Sequence, residues 1–197
     1  MTKEPAVMLP AVLVAYEYWL GEKNWKRLIP FFAVSLCFGL QALWASSGRE
    51  TEYALRFAPA EVWKTAAFYS SKVFLLPYAG FAVLALPLVT RDRRAWLGLA
   101  AFCLLLAPML FLPGRLFGAY LYLPLAGLAV AFATLVAGRH PALVAGIFLL
   151  WIPWNYSQLR VNRREALSLA DESRRYVAGL HEVVRANPQA RAFIYDG

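Results

Sequence analysis

Between two long apolar runs the sequence reads FLPGRLFGAYLYLP, residues 111–124, and Arg115 is the single charge within it. Gly114 frees the backbone just before the arginine, and Gly118, Tyr120 and Tyr122 follow on the same rim. A guanidinium offers a planar fork of donors that matches phosphate oxygens. Tyrosines at the edge of a bilayer keep their rings in the apolar boundary and their hydroxyls in water. Lys72 lies inside a second apolar run, in FYSSKVFLLP. A lysine at mid-membrane costs about 2.5–3.5 kcal/mol on insertion scales, but near an interface it snorkels for far less. Lys3 and Glu4 stand directly before Pro5, a residue suited to the first turn of a helix. Each of these positions also has an ordinary reading, as an interfacial anchor or a solvated helix start. Together, Lys3, Lys72 and Arg115 are three cations able to cradle a lipid phosphate if the fold makes them converge.

The elements that carry these residues follow from composition. The chain has 197 residues, 60% hydrophobic and 16% charged, against about 45–50% and about 25% for ordinary soluble domains. Six apolar segments, about 5–20, 28–46, 66–90, 96–113, 119–137 and 141–157, carry the excess. Several are close to the lower limit of about 17–25 residues for a spanning helix. They lack the two-residue alternation of a barrel strand, so the expected fold is all-α, a polytopic helical membrane protein.

The formal net charge of +8 reads as topology rather than as a nucleic-acid footprint. Lys23, Lys26, Arg27, Arg91, Arg93, Arg94 and Arg139 fall in alternate short connectors, which marks that side as cytoplasmic. In the opposite connector, 47–65, Arg49, Arg56 and Lys64 are balanced by Glu50, Glu52 and Glu61. Both termini are then expected on the outer side of a bacterial inner membrane, as a multi-pass chain. Trp19, Trp25, Trp44, Trp63, Trp96 and Trp154 stand at expected span ends, where an aromatic belt forms. Cys37 and Cys103 sit inside apolar runs and read as buried small hydrophobes. Glu17, near the basic end, is expected to pair with Lys23 or meet water.

After Tyr156 the character changes. Leu159, Ala166, Leu169, Tyr176, Leu180 and Val183 recur at helical spacing between charges, predicting a short amphipathic helix outside the bilayer over 158–186. Asn187-Pro188 stops it, and ARAFIYDG then reads as a strand without a partner. The expected organisation is a helical bundle over 1–157 and an outer region over 158–197. The short first span and the unpartnered strand suggest further chain on both sides.

No Gly-rich phosphate loop, zinc spacing or Ser-His-Asp set is present, and His140 and His181 are isolated. No catalytic residue, metal ligand or cofactor is assigned to this chain. The segments TKEPAVMLPAVLVAYEYWL, WKRLIPFFAVSLCFGLQAL and FYSSKVFLLPYAGFAVL, and above all FLPGRLFGAYLYLPLAGLAVA, resemble the C-terminal half of GT-C glycosyltransferases. The likeness is to bacterial relatives of the tetratricopeptide-carrying transmembrane O-mannosyltransferases. It covers about residues 2–160 as weak motifs in the expected order, of which YLYLP is the most specific.

The resemblance implies transfer of a sugar from a polyprenyl-phosphate donor on the outer membrane face, with the metal requirement left open. It implies that Lys3, Glu4, Lys72, Arg115, Tyr120 and Tyr122 form the lipid-phosphate side of the site. The family's catalytic carboxylate lies in the first outer loop of the complete enzyme, and nothing in this chain corresponds to it. The arginine that precedes YLYLP in the family is Ala119 here, with Arg115 four residues earlier, and the serine after the proline is Leu125. The expectation is therefore a donor-binding part, inactive alone, whose partners are membrane lipid, the donor and possibly a separate N-terminal half. The alternative is a non-catalytic membrane scaffold or assembly subunit.

Overall fold

The computed structural model describes residues 7–46, 55–186 and 188. Lys3, Glu4, residues 47–54 of the connector expected on the outer side and the expected strand over ARAFIYDG lie outside the described residues. Every described regular element is helical. In chain order these are α1 (Leu9–Trp19), α2 (Ile29–Ser46), α3 (Pro59–Val73), α4 (Leu86–Val89), α5 (Arg93–Leu110), α6 (Tyr122–Val136) and α7 (Pro141–Ala186). Tighter 3-10 turns occupy Trp25–Leu28, Ala79–Ala85 and Gly118–Leu121. Among the described residues, Arg93–Leu110, Gly118–Val136 and Pro141–Ala186 are long and apolar enough to cross a membrane.

The first compact unit runs to Val144, and the pairing of α5 with α6 forms its centre. Small residues at a helix crossing let two backbones approach closely. Gly98 and Gly127 supply that here. A Cβ on Gly98 would lie 2.6 Å from Ala131 N and Gly127 O, and one on Gly127 would lie 2.7 Å from Gly98 O and Phe102 N. Residue 98 therefore faces 127–131 and residue 102 faces 127, so the two helices run antiparallel.

Trp19, at the end of α1, meets Trp96, at the start of α5, with ring centres 6.4 Å apart. That contact and the antiparallel pair bring the basic connectors after α1, before α5 and after α6 to one end of the helices. The start of α5 is closed by Asp92, whose carboxylate accepts from the Arg94 backbone N–H at 2.8 Å. Glu17 accepts from the Asn24 backbone N–H at 3.2 Å, folding the first basic connector back on α1. Cys37 is exposed on α2 rather than buried, whereas Cys103 is half-buried against the core.

The expected continuous helix over 66–90 does not form. Pro59 at the first turn and Glu61 beside the positive helix end start α3 earlier. Pro77 ends it, because proline withholds a backbone donor and pushes the preceding residue out of the helical region. Leu75 and Tyr78 take positive φ of 56° and 59°, and Ser71 Oγ accepts from the Tyr78 N–H at 3.2 Å. The chain then folds back: Gly80 packs on the Ser70 backbone, and the rings of Trp63 and Phe81 stack at 5.4 Å and 7°.

A straight helix would hold residues 63 and 81 about 27 Å apart. Thiols introduced by Trp63→Cys and Phe81→Cys in a chain lacking Cys37 and Cys103 should therefore be joined by a short bifunctional thiol reagent. Failure to link them, with each thiol still labelled singly, would restore the straight span.

The second unit begins at Ala145 and contains the remainder of α7. The expected span 141–157 and tail helix 158–186 are one helix of 46 residues, about 69 Å long. The change at Tyr156 is one of polarity alone, since no glycine or proline occurs in 154–178. Pro153 forgoes its own hydrogen bond without ending the helix.

Candidate functional site

The site is built where α3 crosses the connector between α5 and α6. The buried face of α3 carries Thr65, Tyr69 and Ser70. Tyr69 is fully enclosed, and its hydroxyl donates to the Arg115 carbonyl at 3.3 Å. The same carbonyl accepts from the Phe117 N–H at 3.1 Å, while the Arg115 N–H donates to the Leu112 carbonyl at 3.0 Å. One further link ties the approach to α3 to the end of α5, where the Arg56 N–H donates to the Phe111 carbonyl at 2.9 Å. The rings of Phe57 and Phe111 pack beside it at 5.1 Å.

The anchored turn holds the Arg115 side chain inside the protein. Arg115 is 7% exposed, and its guanidinium carbon lies 5.4 Å from the centre of the Tyr120 ring. That is within the reach of a cation–π contact, about 6 Å. Tyr120 is itself buried and is met edge-on by Phe117 at 6.2 Å. Below it, Tyr69, Tyr120, Leu112 and Leu121 join Phe102 and Met109 in one apolar cluster. The guanidinium is a cation placed where charge is costly unless compensated.

The structure brings together Arg115 and Tyr120, and it adds Tyr69, which the sequence reading did not single out. Lys72 is half-buried in the last turn of α3, with its ammonium 5.7 Å from the Phe68 ring centre. It lies three residues beyond Tyr69, on the same side of the helix. It also complements the negative end of the helix dipole. Tyr122 is elsewhere: it is 82% exposed at the start of α6. Residues two apart on a helical turn face apart, so Tyr120 points to the arginine and Tyr122 away from it.

The arrangement is a buried cation framed by the Tyr120 and Phe117 rings. Among the described residues, no three His, Cys, Asp or Glu side chains gather as metal ligands would. The turn depends on Tyr69. Tyr69→Phe, which removes one donor from the Arg115 carbonyl, should destabilise the purified chain by about 0.5–1.5 kcal/mol. Thermal unfolding in detergent measures this; an unchanged midpoint would mean that the hydroxyl does not hold the turn.

Compared with known proteins, the chain matches no family model, no curated protein and no solved structure.

Proposed function

We propose that the chain is a multi-pass membrane protein that binds a polyprenyl-phosphate sugar donor, as the donor-holding part of a GT-C-type glycosyltransferase. In this reading the basic end of the helices is cytoplasmic, and the Arg115 end faces outward from a bacterial inner membrane. Three helices with the length and apolarity to cross a bilayer support the membrane part. Six crossings would require the folded-back segment from α3 to α4 to carry the chain between the two ends.

The observation that carries the binding proposal is the buried Arg115, fixed through its backbone and stacked on Tyr120. Ionisable residues at membrane depth are kept mainly where they bind or relay charge. A phosphate monoester or diester accepts the guanidinium fork with two parallel bonds, and Lys72 adds a second cation reachable from the same face of α3. The polyprenyl tail would run along lipid-facing apolar surface. By the resemblance, the base for the acceptor hydroxyl comes from the family's first outer loop, so in this reading the chain binds the donor without transferring sugar.

The exposed apolar stripe of α7 favours a second reading, in which the spans only anchor an assembly subunit. One experiment separates the two. The full chain in lipid nanodiscs is titrated with a radiolabelled polyprenyl-phosphate sugar, and bound donor and released sugar are both counted. Saturable binding near one per chain without transfer is expected. Binding that never saturates would leave the scaffold reading, and sugar transfer would contradict the role given to this chain.

A further inference from the structure

From Gln158 to Ala186, α7 has no buried residue, although Leu159, Leu169, Tyr176, Leu180 and Val183 lie along it. Each of those five is at least 42% exposed. Helices in proteins owe most of their stability to the packing of an apolar face, and on this one Leu159, Leu169 and Leu180 stay exposed. The positions 159, 162, 166, 169, 173, 176, 180 and 183 advance by alternate steps of three and four, and they hold Leu, Asn, Ala, Leu, Ser, Tyr, Leu and Val.

A face with an average repeat of 3.5 residues drifts about 20° per heptad on a straight helix and stays in register only against another helix that supercoils with it. A flat lipid surface would not select that repeat. The stripe is widened by Ala170, Val177 and Val184, each one residue past a seam position. We propose that this segment is a parallel, in-register coiled coil between copies of this chain.

Charge selects the orientation. In a parallel pair the residues flanking the seam meet as Gln158 with Arg163, Glu165 with Ala170, Glu172 with Val177 and Gly179 with Val184. No like charges meet. In an antiparallel pair with full overlap, Glu172 meets its own copy at the two-fold axis, and a one-heptad slip sets Glu165 against Glu172. The arginines at 160, 164, 174, 175 and 185 all lie off the seam. Asn162 falls on the seam at a cost in stability. The membrane reading adds a geometric reason, because copies anchored in one bilayer send their helices out in one direction and at one height.

Single cysteines test the proposal in native membranes, in the full chain with Cys37→Ser and Cys103→Ala. Leu159→Cys, Leu169→Cys and Val183→Cys sample the seam at both ends and the middle, while Arg164→Cys and Asp171→Cys sample the far side. A disulfide needs Cα atoms closer than about 7 Å, so mild oxidation should link each seam position to its own copy at least about tenfold faster than either far-side position.

Leu180→Asp should suppress the link at 183, and Leu167→Asp, off the seam, should leave it. Equal rates on both faces would overturn the proposal, as would links confined to the middle of the helix. Absence of links at every position would assign the face to a different partner and overturn it as well.

Discussion

Arg115→Gln should lower the affinity of the chain for a polyprenyl phosphate at least about tenfold while leaving the amount of folded, inserted protein unchanged. A hydrogen bond to a charged group contributes about 1.5–3 kcal/mol, which corresponds to roughly 10–150-fold in a dissociation constant. Folding should not suffer in parallel. The bonds from Tyr69 and to Leu112 run to the arginine's backbone and remain in Arg115→Gln. Arg115→Lys should fall between the two, since it keeps the charge but loses the planar fork. Isothermal titration of nanodisc-held protein checks all three. Equal affinities would mean that Arg115 is a structural anchor, and a collapse of folded protein would assign it to the fold.

The largest effect on stability is expected at the crossing of α5 and α6. Gly98→Ala would set a methyl 2.6 Å from two backbone atoms, Ala131 N and Gly127 O. Backbone atoms inside paired helices cannot turn aside as a side-chain tip can, so the helices must separate. Overpacking of this kind costs about 1–3 kcal/mol, and Gly98→Leu, with a full side chain at the same point, should abolish the pair. Gly118 and Gly146 provide controls, since a Cβ there meets nothing within 4 Å. Gly118→Ala should be neutral, and Gly146→Ala, inside α7, should gain about 0.5–1 kcal/mol from helix propensity. Unfolding midpoints in detergent give the order. A Gly98→Ala midpoint equal to that of Gly118→Ala would mean that α5 and α6 do not meet as described.

Much of this fold is legible in the sequence, and the failures have physical causes. Hydropathy locates α2, α5 and α6, whose apolar runs coincide with continuous helix. It fails from 59 to 90, because an apolar average does not register a reversal of direction. The breakers were present in FLLPYAG, where Pro77 and Gly80 permit the turn and the return onto Ser70. It also divides α7 at Tyr156, where polarity changes but no residue interrupts the backbone.

At the site, Arg115 stands out as the lone charge in its connector. Tyr69 does not, because a tyrosine in an apolar run looks like any other core residue until its hydroxyl finds a carbonyl 46 positions away. A partial signal was available in Thr65, Tyr69 and Lys72, which stand four and three residues apart and draw a polar line along one side of α3. Tyr120 and Tyr122 look alike in YLYLP, but a helical turn sends them to different sides.

Native mass spectrometry of the detergent-released full chain tests the central claim most directly, by offering a polyprenyl phosphate and the uncharged polyprenol of the same length together. The account predicts that the chain retains one phosphate and no polyprenol, and that the phosphate is lost on Arg115→Gln. Equal retention of both lipids, or of neither, would contradict it.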